Sequence, residues 1–378
     1  MKRIAIICEY NPLHSGHEYL LRLAKQQFGA NEVYCIMSGS FVQRGQPAVC
    51  DRFTRAAWAI EKGADLVCEM PALSGSFSAD DFALFSIKAA DALGATHLLF
   101  GSECGSIEQF IQASCAMEKD DFKARLSTAL GDGDSYPAAV SKALDCDLDL
   151  TKPNNLLGLS YVNALRRRNS SIIPLTTKRA GDYHSESVSE NFMSATAVRA
   201  ALAQNEPLDG FVAQDVVSDL IPYSPDRLND FNELCFATAI RASKEDFAVL
   251  YEVNEGLENR LWECAKTAKT YDEYVQAVKT KRYTLSKIKR ILVHLLLGIT
   301  KDFVREAYSA PYVRVLAVKK NEELLRHLST KSDVYTKFGA LPDTLTFIWQ
   351  KENAAARLRD FYSQGKACQN GRDNAIII

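Results

Sequence analysis

The sequence predicts an α/β protein: an open, doubly wound parallel sheet followed by a mainly α-helical C-terminal region. Three observations carry this. Short apolar runs at 4–8, 32–37, 65–69 and 96–100 alternate with helix-period segments at roughly 17–27, 51–62 and 79–93. That βαβαβαβ spacing is the pattern of a parallel sheet wound on both faces. The first run, Ile4-Ala5-Ile6-Ile7, is continuous rather than alternating, as in a strand covered on both sides. From about residue 208 the alternation stops and helical patterns take over. A chain of 378 residues holds two or three domains. We expect a sheet domain over 1–207 with a helical insertion near 105–150, a helical region over 208–365 and a tail over 366–378.

Composition narrows the class. Apolar residues make up 47% and charged residues 24%, ordinary values for a globular protein. No run of apolar residues reaches membrane-spanning length. The chain opens directly on a strand pattern with no export signal, so a cytoplasmic location is expected. The 10 cysteines are scattered without a C-x-x-C pair. Cys8, Cys35 and Cys68 fall inside expected strands and read as small apolar residues in a reducing compartment. No metal site is expected from them. The net charge is −2, but residues 266–337 carry 16 Lys and Arg against 7 Asp and Glu. This segment is therefore at +9 and the remainder at −11, an asymmetry that fits an anionic partner for the C-terminal part.

Ligands of doubly wound sheets bind beyond the carboxyl ends of the strands, so the segments after each strand matter most. After the first comes Glu9-Tyr10-Asn11-Pro12-Leu13-His14-Ser15-Gly16-His17. Asn11-Pro12 is a turn signal. The helical pattern starting at Glu18 sets His14 and His17 side by side at a helix entrance. Spare N–H groups there favour an anion, and two histidines beside them suit a polyphosphate. After the second strand comes a polar loop over 38–47 containing Gln43 and Arg44, able to close on a substrate or clamp a phosphate. Asp51 fits as the cap of the helix that follows. Gly101 ends the fourth strand, where a backbone can pass close to an adenine or a ribose. In Lys152-Pro153-Asn154-Asn155, Asn154 either caps a helix or reads a base. A last strand near 172–175 feeds a basic loop with Arg179. Ser194 fits as the cap of a helix bearing Arg199 in its first turn, a phosphate-binding arrangement. Further on, Ile288, Ile291, Leu292, Leu295, Leu296 and Ile299 mark a core-packing stripe. Off the stripe, Lys289 and Arg290, with Lys281 and Arg282 nearby, offer a nucleic-acid surface. Residues 311–316 read as a short segment, strand-like or extended.

His14-Ser15-Gly16-His17 resembles the H-x-G-H motif of the nucleotidylyltransferase superfamily. The segment from Met193 to Arg199 resembles its second, phosphate-binding motif. Further stretches are similar to one family, the bacterial tRNA(Met) cytidine acetate ligases. They are Glu9-Tyr10-Asn11-Pro12, Met37-Ser38-Gly39, Gln43-Arg44-Gly45, Phe100-Gly101-Ser102-Glu103, Lys152-Pro153-Asn154-Asn155, Tyr183-His184, Glu255-Gly256-Leu257-Glu258 and Lys281-Arg282-Tyr283-Thr284. They span roughly residues 3 to 316. Leu13 and Ser15 stand where the family more often has Phe and Asn, but neither departure removes a histidine or the glycine.

The resemblance implies a Rossmann-like nucleotidylyltransferase sheet. It also implies an ATP-dependent ligase that activates acetate as acetyl-adenylate and acetylates N4 of the wobble cytidine of elongator tRNA(Met). Carried onto matching positions, ATP binding falls on Ile7, Cys8, Glu9, Tyr10, Asn11, Pro12, Leu13, His14, Ser15, Gly16, His17, Glu18, Tyr19 and Leu20, and on Gly101, Asn154 and Arg179. Asn155 competes with Asn154 for that place. His14, His17 and Arg199 are the expected catalytic groups. Gln43, Arg44, Lys281, Arg282, Lys289 and Arg290 are the expected contacts to substrate or tRNA. Mg2+ is expected to travel with ATP, and no protein partner is expected. Two other readings remain open: a small-molecule adenylyltransferase, and a non-catalytic RNA-binding protein on a nucleotide fold.

Overall fold

The structure is a computed structural model that describes residues 1–134, 136–144, 146–179, 193–220, 225–254, 256–364 and 374–378. The Tyr183-His184 stretch, Glu255 and most of the tail lie outside the described residues. The first part runs β1 (Arg3–Cys8), α1 (Ser15–Gln26), β2 (Glu32–Met37), β3 (Phe41–Val42), β4 (Gln46–Pro47), α2 (Arg52–Glu61), β5 (Leu66–Glu69), α3 (Ala79–Leu93) and β6 (His97–Ser102). Helices α4 (Ile107–Ala116), α5 (Asp120–Gly131) and α6 (Tyr136–Ala143) fill the expected insertion, followed by α7 (Pro153–Arg167), β7 (Ile173–Lys178) and α8 (Ala195–Gln204). Beyond these come α9 (Gln214–Leu220), α10 (Pro225–Arg241), α11 (Lys244–Ala248), α12 (Leu257–Thr267), α13 (Tyr271–Val278), α14 (Leu285–Leu297) and α15 (Lys301–Ser309). The chain closes with β8 (Val313–Val318), α16 (Glu322–Ser329), β9 (Val334–Tyr335), α17 (Thr346–Gln364) and β10 (Ile376–Ile377).

The main sheet has the order β10-β8-β5-β2-β1-β6-β7, with β9 paired to β8. The five strands expected from the sequence are mutually parallel. The chain leaves β1 on one side for β2 and β5, then returns on the other for β6 and β7, so the strand order reverses between β1 and β6. Alternate residues feed two cores, as the period of a strand requires. Ala5, Tyr34, Ile36, Leu66 and Cys68 pack with α3 and α7 on one face. Ile4, Ile6, Val33, Cys35 and Val67 pack with α1, α2 and α8 on the other. The three strand cysteines are buried and unbridged, as expected.

The sheet is not confined to the first 207 residues. β8 lies antiparallel to β5 and carries β10 parallel on its outer side. Of the two readings of 311–316, strand-like or extended, the strand holds and runs on to Val318, and Ile376–Ile377 of the tail joins the sheet. The reason is the open edge of β5, whose unpaired backbone groups need a partner. Val313, Val315 and Val318 supply the β-branched side chains for one core face. The loop over 38–47 also differs from expectation. It folds as the β3–β4 hairpin, with Phe41 and Val42 buried. The helices after α9 form a third core around Ile288, Ile291, Leu292 and Trp349, which receives Phe41 and Phe77 from the first part. Among the described residues no helix is long and apolar enough to cross a membrane.

Candidate active site

Strand β1 ends at Cys8, and the chain turns through Tyr10, at φ 46°, before α1 begins at Ser15. His14 is the N-cap of α1, and the two histidines complete each other's capping. His14 Nδ1 accepts the Gly16 N–H at 3.1 Å, and His17 Nδ1 accepts the His14 N–H at 3.3 Å. The rings stack at 3.7 Å between centroids, and Tyr10 packs edge-on against His17 at 5.0 Å. Both Nδ1 atoms are therefore acceptors, so in the neutral rings the proton sits on Nε2. Burial, then the charges of Arg179 and Arg199, push the His14 pKa down to about 3. Burial, His14 and Arg179 hold His17 well below the ordinary range. At neutral pH the pair is uncharged and offers two Nε2–H donors.

The expected spare N–H groups of this helix start are engaged instead. Ser15 N–H donates to Phe211 O at 2.8 Å, Gly16 N–H to the His14 ring and His17 N–H to His14 O at 2.8 Å. An anion here meets imidazole and guanidinium donors.

The other side of the cleft comes from β6, α7, β7 and α8. Gly101 is the penultimate residue of β6, at the strand end as expected. A Cβ there would stand 2.8 Å from Arg179 Cγ, so glycine lets the Arg179 stem cross the strand. Arg179 Nη1 donates to Asn154 Oδ1 at 3.1 Å. Asn154 is not the cap of α7; Lys152 holds that place, with Pro153 at the first helical position. The Asn154 amide instead donates to Glu103 Oε1 at 2.7 Å. Asn155 turns away: its Oδ1 accepts the Glu103 and Cys104 N–H groups and its amide donates to Asp149 O. Of the two asparagines, only Asn154 lines the cleft. Ser194 caps α8 as expected, accepting the Ala197 N–H at 3.1 Å. Arg199 donates to Asn11 O at 2.6 Å and to Thr196 Oγ1 at 3.3 Å, joining α8 to the His14 turn.

These parts enclose one cleft at the carboxyl ends of β1 and β6, where the strand order reverses. Its walls include Ile7, Cys8, Glu9, Tyr10, Asn11, His14, His17 and Leu20, together with Gly101, Asn154, Arg179, Arg199, Gln43 and Arg44. From the 7–20 stretch, Pro12, Leu13, Ser15, Gly16, Glu18 and Tyr19 do not line it. Leu13 is buried in the core and Tyr19 is exposed. The four cations expected at a tRNA surface lie elsewhere. Lys281 and Arg282 are exposed. Lys289 and Arg290 lie where the Gly45 hairpin tip meets the α14 backbone. Arg290 is ion-paired with Glu252 at 3.0 Å, so its charge is already matched.

Sequence reasoning missed two clamps. Arg55 is buried and donates to the carbonyls of Glu9, Ser38, Gly39 and Cys50, tying the ends of β1 and β2 together. Glu103 accepts the backbone N–H groups of Asn154 and Asn155 and so fixes the start of α7. Neither spacing nor composition marks such residues, because their partners are backbone atoms from distant loops. Glu9 is the only carboxylate among the described residues of the cleft wall. It accepts the Gln43 N–H at 2.8 Å, and burial raises its pKa despite Arg199, Arg44 and Arg55. No group of three or more His, Cys, Asp or Glu among the described residues could hold a metal. The donor set of two neutral imidazoles, two guanidiniums and one amide is built for phosphate oxygens.

Residues 1–373 match the family model described as HIGH Nucleotidyl Transferase. The chain is 34% identical over 364 residues to the tRNA(Met) cytidine acetate ligase of Acetivibrio thermocellus, covering 88% of this chain and 87% of that protein. It is 36% identical over 351 residues to the protein of the same name from Caldicellulosiruptor saccharolyticus, covering 89% and 87%. Its fold is similar to that of Thermotoga maritima TmcAL bound with alpha-thio ATP, with a TM-score of 0.88, 26% identity and full coverage of both chains.

Proposed function

The chain belongs to the tRNA(Met) cytidine acetate ligase family of HIGH nucleotidyl transferases, and we propose that its cleft carries out both steps of that ligation. The protein is an ATP-dependent ligase acting on a cytidine of tRNA(Met). The observation that carries the site assignment is the convergence of His14, His17, Asn154, Arg179 and Arg199 on one cleft at the β1/β6 reversal.

In the first step an acetate oxygen attacks the α-phosphorus of ATP. A P–O bond to acetate forms, the bond to the β-phosphate bridging oxygen breaks and pyrophosphate leaves. Charge grows on the equatorial and leaving oxygens, and stabilising it is the task of the site. The Nε2–H groups of His14 and His17 donate to these oxygens, while Arg179 and Arg199 supply the positive charge. Neutral imidazoles suit this role because their donors need no protonation before ATP binds. Mg2+ carried with ATP would be held mainly by the nucleotide itself and would supply further neutralising charge, since no group of three or more His, Cys, Asp or Glu among the described residues could hold it. Asn154 holds Arg179 in place and lies within reach of the nucleoside.

In the second step the cytosine N4 attacks the acetyl carbonyl. An N–C bond forms, the C–O bond to AMP breaks and AMP leaves with the electron pair. Glu9 is placed to take the N4 proton, and burial, which raises its pKa, makes it a stronger base than an ordinary carboxylate. Gln43 and Arg44 stand at the mouth where the base enters.

Incubation with ATP, labelled acetate and total tRNA, followed by digestion to nucleosides, tests this reading. Label in N4-acetylcytidine is expected. A labelled dinucleotide-like cofactor would point to a small-molecule adenylyltransferase, and no labelled product to a binding protein.

A further inference from the structure

A second cavity, of about 2040 Å³ including its open mouth, adjoins the ATP cleft, and the two share Gln43 and Arg44 as walls. One side is the start of α3 and of α7, with Asp80, Asp81, Pro153 and Leu156. The other is the segment entering α14, with Arg282, Thr284, Ser286 and Lys287. Its charge is biased: Arg44, Arg282, Lys287, Arg290 and Lys301 face Asp80, Asp81 and Glu252. Each of the three carboxylates is engaged by the protein. Asp80 accepts the Ser160 hydroxyl at 2.7 Å, Asp81 accepts the Tyr251 hydroxyl, and Glu252 pairs with Arg290. With five cations to three carboxylates the cavity wall is net positive, its cations gather on the α14 side, an apolar patch lies at Pro153 and Leu156, and the cavity adjoins the ATP cleft along Gln43 and Arg44.

We propose that this second cavity is the acceptor-nucleotide site. It takes one unstacked cytidine of a single-stranded RNA loop. The flanking phosphates lie along Arg282 and Lys287, the base rests against Leu156, and its exocyclic amine points past Gln43 and Arg44 into the ATP cleft. The chemistry matches: a rim of cations tracks a phosphate backbone, and an apolar recess receives a base taken out of its stack. The hairpin β3–β4 is then the partition between the two sites. Arg290 belongs to that partition, since it donates to Gln43 O at 3.4 Å while pairing with Glu252. This inference rests on the tRNA-ligase reading above.

The test is photocrosslinking. The probe is tRNA(Met) carrying 4-thiouridine in place of the wobble cytidine, whose sulfur replaces the reacting amine. Irradiation with the full-length protein and AMP is expected to give crosslinks within 41–47 or 153–161. Arg282→Glu, an exposed change that leaves the core intact, is expected to raise the KM for tRNA about tenfold, through loss of a phosphate contact. Crosslinks confined to other segments, or an unchanged KM for tRNA in Arg282→Glu, would overturn the assignment even if the wild-type protein acetylates tRNA. Failure of the wild-type protein to acetylate tRNA would overturn the ligase reading and this inference together.

Discussion

The two histidines act through a detail that a motif does not display. Each Nδ1 accepts a backbone N–H at the start of α1, so each Nε2–H is aimed elsewhere and the rings are neutral. Replacing His14 or His17 with Ala is therefore expected to lower acetate-dependent pyrophosphate exchange by about 10²–10³, the usual cost of one transition-state donor. The depressed pKa also links to stability. The folded value of about 3 for His14 lies below the unfolded 6.5, so the unfolded chain binds the extra proton between them. Its contribution is whole above pH ~6.5 and is lost as pH falls toward 3. The melting temperature of ATP-free protein should fall less steeply on acidification in His14→Asn than in wild type. Glu9→Gln should retain pyrophosphate exchange better than transfer to tRNA. In wild type, transfer should fade as pH drops through the raised Glu9 pKa. Equal losses in both half-reactions would assign Glu9 to ATP binding alone.

At the scale of elements, two short contacts place the site. Glu103 receives the first N–H groups of α7 and thereby holds Asn154 against Arg179. Glu103→Ala should cost about 1 kcal/mol in stability, as for loss of a helix cap, and raise the KM for ATP more than it lowers kcat. The hairpin tip is equally tight. Gly45 sits at φ +70°, and a Cβ there would stand 2.5 Å from Arg290 N. This scale also shows what the sequence could and could not display. Strands β1, β2, β5 and β6 were legible because apolar runs and helical periods alternate along the chain. The hairpin was not, since two-residue strands carry no period. Lys289 and Arg290 read as surface cations because their polar type is visible but the hairpin covering them is more than two hundred residues away. His14, His17, Arg179 and Arg199 were legible from their places after strands and at helix starts, and motif resemblance joined them into one set; their meeting in space follows from the reversal of strand order.

Across the whole molecule the C-terminal half is built into the catalytic sheet. β8 and β10 complete its edge. Buried Arg52 grips Glu69 at 2.9 Å, and Arg314 of β8 lies between Glu69 and Glu352 of α17. Burial and the nearby Glu69 charge push the Glu352 pKa up to about 8, and Tyr312 donates to it at 2.6 Å. Arg359 of α17 holds the carbonyls of Ala48 and Val49 just beyond the hairpin. None of these ties is readable from local sequence, because each joins positions far apart in the chain. The charge asymmetry was readable, and it predicts a salt effect. The KM for tRNA should rise with salt by roughly 0.7–0.9 log units per tenfold for each phosphate contacted, while the KM for ATP changes far less. Parallel salt curves for the two substrates would place tRNA binding away from the basic half.

The central claim is that acetate attacks the α-phosphorus of ATP in the cleft of His14 and His17. Acetate labelled with 18O at both oxygens tests it, with AMP and N4-acetylcytidine analysed by mass spectrometry after turnover on tRNA. The account predicts one 18O in AMP and one in the acetyl group. Unlabelled AMP beside acetylated tRNA, or ADP in place of AMP, would contradict it.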